Sequence, residues 1–130
     1  MFDWKKPTAQ MLGRWQPWHD GHTALFEKAL KKTGQVCIMF RDVSGVDAGG
    51  DGQGDNPFEF EEVKKRIIDG LSAHGYEHEK EYIVLKVPNV TDISYGRGVG
   101  YTFTEHDLGE EIHKISATKI RKKMRDQDEL

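Results

Sequence analysis

A chain of 130 residues, 36% hydrophobic and 32% charged, is sized for one domain (residues 1–130) with a single core, and this balance excludes a disordered or membrane-embedded protein. The formal net charge is -3, and the single cysteine, Cys37, excludes an intrachain disulfide or a cysteine-based zinc site. No apolar run approaches bilayer-spanning length and MFDWKKPTAQ has no apolar h-region, so a cytoplasmic protein without a membrane partner is expected.

The segment TAQML, ending at Leu12, reads as a strand stopped by Gly13. From Gly21 to Lys32 the apolar residues Leu25, Phe26, Ala29 and Leu30 fall on one helical face, with Gly34 placed to end the helix. The continuous apolar run Val36 to Phe40 predicts a buried strand, with Cys37 as a small core residue. RDVSGVDAGGDGQGDNPF follows; its five glycines and four aspartates leave little to bury, and residues 44–55 are expected to be a mobile loop.

Asn56 as N-cap, Pro57 in the first helical position and Glu59 three residues past the cap predict a helix start. Phe60, Val63, Ile67 and Leu71 supply its core face, and Gly75 follows its end. YIVLKVPNV predicts a third strand, and ISYGRGVGYTF a fourth strand with a glycine turn. Ser116 is placed to cap a last helix, ATKIRKKM. Alternating strands and helices argue for an α/β fold: an open parallel sheet with helices on both faces and ligands outside the carboxyl ends of the strands.

Two places on that edge suit an anion. In GRWQPWHDGH, residues 13–22, His19 and His22 open a helix three residues apart, where unpaired N–H groups and the helix dipole favour negative charge, and Arg14 adds a planar fork. In KISATKIRKK, Ser116 and Thr118 begin a helix with Lys119 and Arg121 beside them. Every charged residue from Asp42 to Glu62 is acidic and every one from Lys114 to Arg125 is basic, a pattern that fits a specific anionic ligand better than bulk nucleic-acid binding.

Plainer readings stand beside these. The HxxH spacing is not the i, i+4 spacing of zinc-protease helices, Trp15 and Trp18 are more often packing residues than stacking platforms, and a basic helix face is more often simply solvated. His74 and His78, four apart, have metal-ligand spacing but read as exposed spacers.

GRWQPWHDGH resembles the GRFQPxHxGH signature of the HxGH-type nucleotidylyltransferases, and ISATKIR resembles their second signature, ISSTKIR or ISGTEIR. NPFEFEE looks like the segment that opens the middle helix in nicotinamide-mononucleotide adenylyltransferases, and the matched elements span residues 8–125. The resemblance implies a compact Rossmann-like domain that transfers an NMP from an NTP to a small phosphorylated acceptor and releases pyrophosphate. AMP from ATP is favoured, with CTP as the alternative because glycerol-phosphate-type cytidylyltransferases are about this short.

Carried over by position, His19, His22 and Arg121 would be catalytic, stabilising charge around the phosphates. Gly13, Arg14, Gly21, Ser116, Thr118 and Lys119 would hold nucleotide and phosphates, while Trp18, Arg41, Asn56 and Tyr95 would line the acceptor site. Mg²⁺ is implied as the triphosphate's counter-ion, as is a homo-oligomer. Ala117 stands where the signature has serine or glycine, and Lys119 where adenylyltransferases often carry glutamate. A silent nucleotide-binding module is the non-catalytic alternative.

Overall fold

The computed structural model describes residues 1–46, 54–98, 100–109 and 117–127. In chain order the elements are β1 (Ala9–Gly13), α1 (Asp20–Thr33), β2 (Val36–Arg41), α2 (Phe60–Ser72), β3 (Tyr82–Val87) and α3 (Ala117–Asp126). The strands form one parallel sheet in the order β1-β2-β3, an open α/β arrangement. The register sets Gly13 beside Phe40 and Phe40 beside Lys86, so the residues that follow each strand emerge along one edge.

Period-two alternation divides the sheet. Met11, Val36, Ile38, Phe40, Tyr82 and Val84 point to one side and bury against Phe26 and Ala29 of α1, Val63, Ile67 and Leu71 of α2, and Met124 of α3. The opposite side holds a small cluster, Phe2, Cys37 and Ile83, with Met39 and Leu85 packed on it. Helices on both faces were expected; instead, among the described residues, α1, α2 and α3 bury their apolar side on the same face, and the cover on the other comes from the N-terminal segment. Buried Gln35 pins that segment, accepting from the Asp3 N–H at 3.1 Å and donating to the Asp3 carbonyl at 2.6 Å.

Gly34 ends α1 in the left-handed conformation, φ 92°, its N–H on the Leu30 carbonyl. α2 starts three residues later than its sequence signal implies: Glu59 is the cap residue and makes no side-chain cap bond. Asn56 cannot serve because its side chain is used elsewhere, accepting from Arg14 and donating to the Val46 carbonyl. Among the described residues of 93–103 there is no strand, and Ile93, Tyr95, Tyr101 and Phe103 are exposed. The spacing of His74 and His78 is not helical, since α2 closes at Ser72, and His78 lies against the Tyr82 ring at 5.4 Å. No helix among the described residues is long and apolar enough to cross a membrane.

Candidate functional site

The loop leaving β1 is built on aromatic packing. Trp15 has φ 50° and folds its indole back over Gly13, where a Cβ would lie 2.7 Å from Trp15 Cζ2. Glycine at 13 therefore makes room for this ring, in place of the nucleotide contact expected there. The Trp15 indole N–H donates to the Met39 carbonyl at 3.0 Å, tying the loop to β2. Trp18 lies 5.1 Å from Trp15 between ring centroids and donates from Nε1 to buried Thr23 Oγ1 at 2.9 Å. Trp18 is thus a core residue, so a role lining the acceptor site gives way to packing.

On this platform the two histidines open α1 as a reciprocal cap. His19 Nδ1 accepts the Gly21 N–H at 3.0 Å, and His22 Nδ1 accepts the His19 N–H at 3.1 Å. A nitrogen that accepts carries no proton, so each neutral ring holds its hydrogen on Nε2. Neither Nε2 has a hydrogen-bond partner among the described residues.

The rings stack with centroids 3.7 Å apart and planes 22° apart, and the edge of Trp15 meets His22 at 4.8 Å. Burial and then the neighbouring His19 push His22 down to about 3, and burial lowers His19 as well. The cap consumes the Gly21 N–H, which the sequence offered to a phosphate. Its partial charge is relayed through the imidazole, so the donors without a partner among the described residues are Nε2–H groups rather than that backbone amide.

A second set of contacts links the loop to the segment before α2. Buried Gln16 accepts the Phe58 N–H at 2.8 Å and donates to the Phe58 carbonyl at 2.9 Å, a side-chain imitation of strand pairing. Arg14 donates to Asn56 Oδ1 at 2.8 Å, and Arg41, at the end of β2, donates to Asn89 Oδ1 at 2.9 Å. Burial, Arg121 and then Arg41 depress the Arg14 pKa, so these guanidiniums share one positive field. Sequence reasoning gave no role to Gln16, although it stands within GRWQP, or to Asp55 and Asn89, which lie outside the matched signatures; the fold sets Gln16 and Asp55 on Arg121 and Asn89 on Arg41.

α3 joins this edge through Arg121. Its side chain is 2% exposed, with Nε donating to Asp55 Oδ2 at 2.9 Å, Nη2 to Thr118 Oγ1 at 3.3 Å and Nη1 to the Gln16 carbonyl. Arg125 adds a fork on the same carboxylate, with both bonds at 2.7 Å. The Arg125 hydrogen bonds, then those of Arg121, hold Asp55 at about 2 despite the opposing cost of burial.

The structure therefore brings together Gly13, Arg14, His19, Gly21, His22, Asn56, Thr118 and Arg121 around one loop. Arg41 stands at the same sheet edge, and Lys119 is exposed on α3. Tyr95 is not drawn in; it is 59% exposed and pairs with Phe103. Ser116, most of the 44–55 loop and the expected α3 cap lie outside the described residues.

Comparison with family models, curated proteins and solved structures finds no match. The functional reading rests on the residues themselves.

Proposed function

We propose that the protein is a nucleotidylyltransferase with a Rossmann-like domain that transfers an NMP, AMP from ATP in the first instance, to a small phosphorylated acceptor. The reading is supported by the likeness of GRWQPWHDGH and ISATKIR to the two signatures of the HxGH-type enzymes. The observation that carries it is the reciprocal histidine cap, which leaves both Nε2–H groups without a partner among the described residues where the loop after β1 enters α1, at the carboxyl edge of the sheet.

In the reaction, an oxygen of the acceptor phosphate attacks the α-phosphorus of the NTP. The bond from that phosphorus to the α–β bridging oxygen breaks, and the electron pair leaves with pyrophosphate. A phosphate acceptor is already ionised near neutral pH, so no general base is required. The site has to align the reactants and meet the growing negative charge with fixed donors. A His22 that titrates at about 3 suits this role, because it stays a neutral donor and neither takes nor gives a proton at pH 7.

Mg²⁺ accompanies the triphosphate in this reading. Among the described residues no group of three or more His, Cys, Asp or Glu side chains is placed to hold a metal, and Asp55 is committed to two arginines. The ion is accordingly assigned to phosphate oxygens and water.

Arg121 favours a second reading, nucleotide binding without turnover, because Nε, Nη1 and Nη2 all have partners within the protein. The test is pyrophosphate release from ATP, CTP, GTP and UTP, each with Mg²⁺ and a panel of phosphorylated acceptors, alongside a thermal-shift screen of the same nucleotides. Release from ATP, or from CTP as the cytidylyltransferase alternative, is the expected result. A thermal shift without release establishes the binding module, and neither signal overturns both readings.

A further inference from the structure

We propose that Arg121 and Arg125 form a seat for a phosphate oxyanion, and that the carboxylate of Asp55 fills this seat when no ligand is bound. The inference rests on the transfer reading, in which the resemblance already gives Arg121 to the phosphates, and deepens it by adding Arg125 to that seat and naming Asp55 as the group a phosphate must displace.

Arg121 is fixed without help from Asp55. The Gln16 carbonyl takes Nη1 and Thr118 Oγ1 takes Nη2, which leaves Nε aimed at the carboxylate. A buried guanidinium needs a counter-charge, and here the counter-charge stands on a side chain that is 40% exposed while the cation is 2% exposed. The anion therefore sits at the mouth of the site, within reach of solvent. Arg125, 48% exposed, closes the other side with a two-pronged grip whose geometry fits phosphate as well as carboxylate.

Charge balance points the same way. Arg14 is close enough that its pKa responds to both Asp55 and Arg121, and its hydrogen-bond partner is the neutral amide of Asn56. Two guanidiniums on one carboxylate, with a third near enough to respond to it, outnumber the negative charge that the contacts of the described residues show there. A phosphate group bearing two negative charges answers that field better than a carboxylate bearing one. Turning the Asp55 side chain about its Cα–Cβ bond vacates the seat while Asn56 and Phe58 keep their contacts with Arg14 and Gln16.

The probe is inorganic tripolyphosphate, titrated calorimetrically at constant ionic strength into the wild-type chain, Asp55→Asn and Arg125→Gln, with circular dichroism melts to establish folding. Asp55→Asn keeps the shape of the side chain and removes its charge, so tripolyphosphate binds about tenfold more tightly if Asp55 competes for the seat. Arg125→Gln, at an exposed position, weakens binding. Equal or weaker binding by a folded Asp55→Asn overturns the proposal, and so does unchanged binding by Arg125→Gln. Pyrophosphate release by the wild type, together with no gain in Asp55→Asn, removes the seat and leaves transfer standing. Tighter binding in Asp55→Asn without release in either protein leaves the seat and removes transfer.

Discussion

His19 and His22 stack face to face at 3.7 Å, each accepting a backbone N–H of the same helical turn through Nδ1. Protonating either ring at Nδ1 would abolish a cap bond, and protonating both would place two cations in contact. The depressed His22 pKa of about 3, against an ordinary 6.5, has a consequence for stability. Between those values the unfolded chain binds a proton that the folded chain refuses, so stability is full above about pH 6.5 and declines as pH falls toward 3. The expected NMR titration shows His22 neutral and Nε2-protonated at pH 5. A His22 midpoint near 6.5 would contradict the cap.

Replacing a capping histidine separates stability from chemistry. His22→Ala removes the acceptor for the His19 N–H and should cost about 1 kcal/mol in urea unfolding, the usual scale of a lost N-cap. If the Nε2–H groups stabilise the transition state, kcat falls further, by about a hundredfold or more, at a temperature where the variant is fully folded. A loss of activity no larger than the loss of folded protein would reduce the histidines to a helix cap.

Gln16 should rank among the costliest polar positions. It is 2% exposed, and its amide satisfies both the N–H and the carbonyl of Phe58. Gln16→Ala leaves the Phe58 N–H without a partner and its carbonyl with the Ser44 hydroxyl alone, so a loss of about 1–3 kcal/mol is expected from chemical denaturation. Gln16→Glu keeps the acceptor for the Phe58 N–H but sets a carboxylate oxygen against the Phe58 carbonyl, and should be at least as damaging. A loss within the usual range for an exposed polar site would show that the loop and the pre-α2 segment are not joined through this amide.

The residues that follow a simple period were legible from sequence. Val36 to Phe40 and Tyr82 to Val87 are apolar runs that both form strands, and the 3.6-residue spacing from Leu25 to Leu30 together with Gly34 located α1 and its end. What escaped depends on partners distant in the chain. Asn56 has the right neighbours for a helix cap, but Arg14, 42 residues away, takes its oxygen and the helix starts later. Gly13 reads as room for a ligand until Trp15, with its positive φ, fills that room. Arg121 reads as part of a phosphate site or as one cation of a solvated basic face, and only the folded chain sets Gln16 and Asp55 against it.

Tyr82 offers a gain rather than a loss. Its side chain is fully buried between Phe26 and His78, and its hydroxyl has no hydrogen-bond partner among the described residues. Burial pushes the phenol up to about 12, as expected for a group deprived of water. Tyr82→Phe removes the unmet polar atom with little change of shape, and should raise stability by about 1 kcal/mol. A destabilised Tyr82→Phe in thermal and urea melts would reveal a partner for the hydroxyl.

Gly13→Ala tests whether aromatic packing sets the position of the histidines. The added methyl would meet Trp15 Cζ2, Cε2 and Cη2 at 2.7 to 2.8 Å, closer than any real Cβ contact. The indole has little freedom to retreat: Nε1 is bonded to the Met39 carbonyl, Trp18 lies against it, and the His22 ring meets it at 4.8 Å. Relief must therefore pass into His22, because rigid rings transmit a displacement that a flexible side chain would absorb. A destabilisation of about 1–3 kcal/mol is expected from overpacking. Transfer activity should fall well beyond that when assayed far below the melting transition, with the His22 ring resonances shifted. Retained activity with unshifted resonances would mean that the tryptophan moves alone and that the histidine pair is held by its backbone cap without this aromatic support.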